Sequence, residues 1–263
     1  MSKFNPVPIL AIVAAITLIF ISITMGGNAI IFVSVGSFVI TVVGSFCALL
    51  ASFPTRILMN VPSILKQAFM EPVESRKNLV TLFTDLSRKA RSEGLLALED
   101  ELEEIDDEFI VKGIQMVVDG IEPESIRDIL EFEIYAIQKR HGYGHNIFST
   151  WGEMAPAFGM MGTLIGLILM LSDLSDAANI GIGMATALIT TFYGSLLANV
   201  ALIPIGNKLQ NQTAEEVFTK EMVIEGVLSI QSGVNPRIIE EKLMTYLPPV
   251  ERGKEELKEK KVS

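Results

Sequence analysis

Between Met154 and Leu171, and again between Ile180 and Ile205, the chain carries no charged side chain. Two further charge-free apolar runs, Pro8–Met25 and Ala29–Phe53, lie near the N-terminus. A helix rises about 1.5 Å per residue, so each run can cross a hydrocarbon layer about 30 Å thick. These runs explain why a chain of 263 residues is 49% apolar with mean hydropathy +0.44, values unusual for a soluble domain of this size. The fold expected is an all-α integral membrane protein with four transmembrane helices.

Lys3 ahead of the first run raises the question of a cleaved leader. The run is longer than a leader's apolar core, and a second begins after Gly26-Gly27-Asn28, so a hairpin of two spans is the better reading. All 21 Lys and Arg fall at Lys3, within 54–146 or after Ile205. The turns at 26–28 and 172–179 have none, and the second carries Asp173 and Asp176. The excess of basic residues on one side places both termini and the central segment in the cytoplasm. The expected organisation is an N-terminal hairpin (1–53), a cytoplasmic helical domain (54–146), spans three and four (147–206), and C-terminal cytoplasmic helices with a disordered end (207–263).

A net charge of −10 argues against a nucleic-acid partner. Cys47 is the sole cysteine; it lies inside the second run and is expected only to pack. His141 and His145 are too few for a zinc site and read as an interfacial cluster with Phe148 and Trp151. No phosphate-cradling glycine loop, nucleophile elbow or His/Cys ligand set occurs, so neither an enzyme site nor a bound cofactor is expected.

Ile57–Met70 has apolar residues at mixed helical spacing and suits either the inner membrane surface or packing on the cytoplasmic domain. In 72–146, Leu79, Leu82, Phe83 and Leu86 repeat at helical spacing, followed by Arg88, Lys89 and Arg91. Beyond Gly94 comes an acidic run from Glu99 to Glu108. Such a pairing is either a solvated surface with internal ion pairs or a charged docking face. Pro123-Glu124-Ser125 opens a long helix that runs towards the third span, and Asn207–Ile230 continues the fourth as an amphipathic helix.

Membrane proteins that move protons or sodium place a carboxylate inside the bilayer. These four runs contain none, and Glu153 stands just outside the third. If ion flow is coupled here, the acid comes from another chain. The first hairpin, mostly Ile, Val, Phe and Leu, is expected to face lipid and shows no ion path. In the central pair, Gly159, Gly162 and Gly166, with Gly183/Ala187 and Gly194/Ala198, allow close approach and suit the reception of a partner helix. Thr163, Thr186, Thr190 and Thr191 either bond back to their own helices or line a polar passage. Pro156 and Pro204 each remove a backbone donor and allow a bend.

Over nearly its whole length the chain resembles the MotA/PomA family of flagellar motor stator subunits. The residues that carry this are 51–54 (Ala-Ser-Phe-Pro), 89–99 (Lys-Ala-Arg-Ser-Glu-Gly-Leu-Leu-Ala-Leu-Glu), 155–163 (Ala-Pro-Ala-Phe-Gly-Met-Met-Gly-Thr), 190–194 (Thr-Thr-Phe-Tyr-Gly) and 231–237 (Gln-Ser-Gly-Val-Asn-Pro-Arg). The resemblance implies a homo-oligomeric ring, a pentamer, around a MotB/PomB-type partner that supplies the intramembrane aspartate. It implies that Arg91 and Glu99 contact the rotor protein FliG, and that Pro156 and Pro204 are the mechanistic prolines. It also implies that Thr163 and Thr191 stand beside the partner's aspartate. Ser92 departs from the basic residue some sodium-type relatives have there. The transported ion is H+ or Na+; the pair Thr190-Thr191 looks more like sodium-type relatives, since hydroxyl oxygens suit a hard cation. An ExbB/TolQ-type energiser of outer-membrane processes and a stand-alone four-span ion transporter are the alternatives.

Overall fold

A computed structural model describes residues 2–72, 76–172, 174–175 and 177–252. Asp173, Asp176 and the end from 253 onward lie outside them. The fold is all-α, and among the described residues four helices are long and apolar enough to cross a membrane. The elements are α1 (Val7–Gly26), α2 (Ala29–Ser52), α3 (Val61–Ala68), α4 (Arg76–Glu93), α5 (Glu108–Val118), α6 (Pro123–Ser172), α7 (Ala178–Gln231) and α8 (Pro236–Met244). One feature the apolar pattern does not announce is a short antiparallel pair, β1 (Ser2–Phe4) with β2 (Met70–Pro72), in the register Phe4 to Met70.

The chain forms two compact units. Among the described residues, one comprises 76–139 and 213–252, and the other 2–72 and 140–212. The central segment and the C-terminal helices, far apart in sequence, therefore share a single core, while α3 belongs with the spans.

In the first unit, Leu79, Phe83, Ile114, Leu130, Val227 and Ile239 are among the buried side chains of one apolar cluster. Gly113 and Gly226 permit this packing: a Cβ on Gly226 would lie 2.6 Å from the Phe83 ring, and one on Gly113 would lie 2.8 Å from Val227. Asp107 caps α5 by accepting from the backbone N–H groups of Phe109 and Ile110, and Asn235 caps α8 by accepting from Arg237, which satisfies donors a helix start leaves open. Arg76 pairs with Glu215, donates to Thr219 and lies 4.8 Å from the centre of the Phe218 ring.

A second charged junction centres on Glu225, which pairs with Arg127 at 3.3 Å and with Lys242. Burial works against its charge, and the hydrogen bonds and positive charges of Lys242 and Arg127 outweigh burial. Its carboxyl is therefore held below the ordinary value.

In the second unit, Phe148, Ala155, Leu202 and Leu209 form the core with Ala68, and Val61, Ile64 and Leu65 of α3 pack on it. α3 therefore packs on the span-bearing unit and not on the cytoplasmic domain, which corrects that reading of 57–70. The Gln212 side chain donates to the carbonyls of Ala68 and Met70, and Asn5 donates to the carbonyl of Phe69. Phe148 is part of the core, and the half-buried Trp151 donates to the Ser45 hydroxyl at 3.1 Å. Cys47 is exposed on α2 instead of packing inside. His145 bonds through Nδ1 to the Gly206 carbonyl at 3.0 Å, which ties α6 to α7.

Candidate functional site

The two central helices meet along their glycines. A Cβ on Gly166 would stand 2.5 Å from the Gly183 carbonyl oxygen, and one on Gly194 2.6 Å from that of Ala155. At Gly159 the nearest atoms are the Thr190 carbonyl oxygen at 3.0 Å and Thr191 Cα at 3.2 Å. Backbone thus runs against backbone, as small residues allow in membrane helices. The expectation that these glycines receive a different chain is corrected: they seat α6 against α7 of the same molecule.

This close approach brings the threonines together. Thr163 and Thr191 hydroxyls lie 2.6 Å apart, and both lie within bonding reach of the Ala187 carbonyl, at 3.1 and 3.2 Å. A distance of 2.6 Å means that one hydroxyl donates to the other. Thr191 is exposed and Thr163 half-buried, so the pair forms a small polar spot beside the apolar Met160 and Leu164, both exposed. Thr190 is placed differently. It is fully buried, its hydroxyl bonds to the carbonyls of Thr186 and Ala187, and its side chain fills the space Gly162 leaves open. Thr186 likewise bonds back to Ile182. Of the expected ion-path residues, the structure joins Thr163 to Thr191 and puts Thr190 behind them.

Pro156 lies inside α6, with its Cα 3.0 Å from where a Cβ on Gly194 would be. Its missing N–H therefore falls at one of the close approaches of α6 and α7, about two turns before Thr163 and on nearly the same face. Pro204 is exposed and follows a π-helical turn, Leu197–Leu202. A widened turn of this kind relieves the clash between a proline ring and the preceding carbonyl. Glu153 is exposed on α6.

The segment 190–194 now has a role for each residue. Thr190 is wedged against α6, and Thr191 presents its hydroxyl. Phe192 meets the Phe32 ring edge-on at 5.6 Å, and Tyr193 donates to the Phe32 carbonyl and accepts from the Ser34 N–H. Gly194 lets α6 close in. Tyr193 therefore fastens the start of α2 to α7, a contact that sequence spacing did not reveal.

On the other unit, α4 carries Arg91 in its last turn and is stopped at Gly94, whose φ of +92° is costly for any residue with a Cβ. The 3-10 coil Leu95–Glu104 follows, anchored by the fully buried Leu98. Lys89 bonds Glu101 at 2.5 Å and Arg88 pairs with Asp85 at 2.9 Å. Among the described residues Arg91 and Glu99 have no ion-pair partner, and both are exposed. The cluster thus contains both arrangements the sequence allows: internal pairs at Arg88 and Lys89, and open charges at Arg91 and Glu99.

Residues 101–222 match the MotA/TolQ/ExbB proton channel family. Motility protein A of Borreliella burgdorferi is 48% identical over 85% of this chain and 86% of its own. Chemotaxis protein PomA of Vibrio alginolyticus is 36% identical over 94% and 97%. The solved flagellar MotAB stator complex of Bacillus subtilis contains a chain that superposes with a TM-score of 0.86 at 34% identity, covering 94% of this chain and 97% of that one. With the paired central helices, the hydroxyl spot and the open charges already in place, the chain belongs to the MotA/PomA family of flagellar motor stator subunits.

Proposed function

We propose that this chain forms a pentameric stator ring around a single-span, peptidoglycan-binding partner of the MotB/PomB type. In this reading the partner's intramembrane carboxylate takes up the coupling ion beside Thr163 and Thr191, and its charging and discharging drives the ring to turn. Pro156, at a close approach of α6 and α7, is the point where the helix yields, and Pro204 lets α7 bend where its apolar span ends. Arg91 and Glu99 pass torque to the rotor protein FliG. The unit containing α4 and α5, with both termini, faces the cytoplasm, and the protein sits in the inner membrane.

The observation that carries this reading is a mismatch within the chain. Four apolar spans hold no carboxylate, yet the central pair presents an exposed hydroxyl couple. A hydroxyl cannot relay charge alone, but it can help coordinate a cation held by a neighbouring acid. Two hydroxyl oxygens favour sodium, with Thr163 and Thr191 supplying them and Thr190 stiffening the wall behind. The ExbB/TolQ-type alternative shares the same family description. The motility names of relatives matched over most of their length favour the stator. The test is swimming speed of cells that carry this subunit and its partner, across external sodium with and without a sodium-motor blocker. Speed should rise with sodium and fall with the blocker. Speed that follows pH alone would overturn sodium, and motility unaffected by deletion of the subunit would overturn the stator.

A further inference from the structure

α2 buries one stripe of side chains, Ser37, Thr41, Ser45 and Leu49, at four-residue spacing, while Phe38, Val39, Val43, Phe46 and Leu50 stay exposed. Three of the four buried side chains are hydroxyls, so a helix with an apolar outside has a mostly polar seam on its inside. Burying a hydroxyl away from water is unfavourable unless it is bonded. Most membrane threonines meet this need on their own helix, and here Thr17 bonds Val13 and Thr186 bonds Ile182. Thr41 does not. Its hydroxyl donates across to the Thr190 carbonyl on α7 at 3.3 Å. The turn around it, Val39–Val43, is π-helical, a local widening that recurs at functional sites. Ser45 accepts from Trp151, whereas the Ser37 hydroxyl has no partner among the described residues. Thr41 is therefore the member of the seam that grips α7.

The gripped residue is held from two sides. Gly159 and Gly162 of α6 admit the carbonyl and side chain of Thr190, and Thr41 bonds the same carbonyl from α2. The next residue in the chain is Thr191, whose hydroxyl meets that of Thr163. We propose that Thr41 is a positioning residue for the ion path: its hydrogen bond fixes the backbone at Thr190 so that Thr191 stays against Thr163. This rests on the reading of Thr163 and Thr191 as the path. It assigns α2, a helix otherwise facing lipid, a second layer behind that path.

The test uses the full stator, partner included, in motile cells, with swimming speed titrated against external sodium and then against external pH. Thr41→Val keeps the shape and removes the donor. It should leave the membrane level normal and shift the ion concentration at half-maximal speed by about threefold, the size of one average interhelical bond in a membrane. Thr41→Ser restores the donor and should match wild type, and Ser45→Ala, which alters the seam away from α7, should not shift the ion dependence. Thr191→Val tests the underlying reading. An ion shift in Thr191→Val with none in Thr41→Val would overturn the positioning role and leave the path intact. No shift in either would overturn the path itself, and a Thr41→Ser variant that behaves like Thr41→Val would also overturn the positioning role. If Thr41→Val does not accumulate, Thr41→Ala removes the same donor with less bulk and is read in the same way.

Discussion

At the scale of single residues, the contrast between bonded and open charges decides what a substitution does. Lys89 and Glu101 neutralise one another within the molecule, and exchanging either loosens the coil after Gly94. Arg91 and Glu99 have no ion-pair partner among the described residues, so in the proposed reading exchanging them alters recognition and leaves folding alone. Charge reversal at either, Arg91→Glu or Glu99→Lys, should reduce swimming at least tenfold at normal membrane level. A complementary reversal on the rotor side should restore part of it. If both reversals swim normally, these charges do not face the rotor. Glu225 behaves in the opposite way, because its charge holds α6, α7 and α8 together through Arg127 and Lys242. Its carboxyl sits below its ordinary value of 4.5, so its stabilising effect is complete above that pH and is lost as pH falls through the depressed value. Thermal unfolding of the detergent-solubilised chain should therefore shift to lower temperature below about pH 4.5 in wild type. Glu225→Gln should be less stable at pH 7 and should lose less on acidification. Equal acid sensitivity in the two proteins would assign the loss to other groups.

At the scale of elements, the glycine spacing was legible and its partner was not. A small residue every three or four positions says that a backbone comes close; it does not say whose. Gly166 meets Gly183 within the chain, although the pattern reads equally well as a docking groove for another helix. The four spans, the long helices running out of the third and fourth, and the break at Gly94 were all readable, because period and punctuation are local signals. The seam on α2 escaped notice since isolated Ser and Thr in an apolar run normally bond back to their own helix. Its i, i+4, i+8 order was the available clue. The sharing of one core by α4, α5 and α8 was not readable, since no local pattern states which amphipathic faces will meet. The glycine contacts give a paired prediction. Gly166→Ala puts a Cβ 2.5 Å from a backbone oxygen that cannot move freely, so α6 and α7 must part and the membrane level should fall severalfold. Gly181→Ala on α7 meets nothing within 4 Å and should be neutral or slightly stabilising, since alanine is the better helix former. Immunoblots of membrane fractions read both, and equal levels for the two variants would mean that α6 and α7 do not pack as described.

At the scale of the whole molecule, the proposed function gives the chain a wall, a hinge and a handle, while its four apolar spans hold no acid. In the proposed reading the wall is the α6–α7 pair, with Thr191 exposed, Thr163 half-buried beside it, and Thr41 and Thr190 behind. In the same reading the hinge is Pro156, and the handle is the charged edge at Arg91 and Glu99. An ionisable group in a membrane interior is costly, and proteins keep one there when ion movement depends on it. Four spans without one cannot by themselves bind and release a cation in step with a conformational change. Liposomes loaded with the purified chain alone should therefore show no sodium or proton flux above empty vesicles under an imposed gradient. Liposomes with the chain co-purified with its single-span partner should conduct, and replacing the partner's intramembrane carboxylate by an amide should return the flux to background. Flux from the chain alone would make it a transporter in its own right and remove the reason for a companion. Flux from the complex that survives loss of the carboxylate would place the ion route elsewhere, with Thr163 and Thr191 reduced to packing.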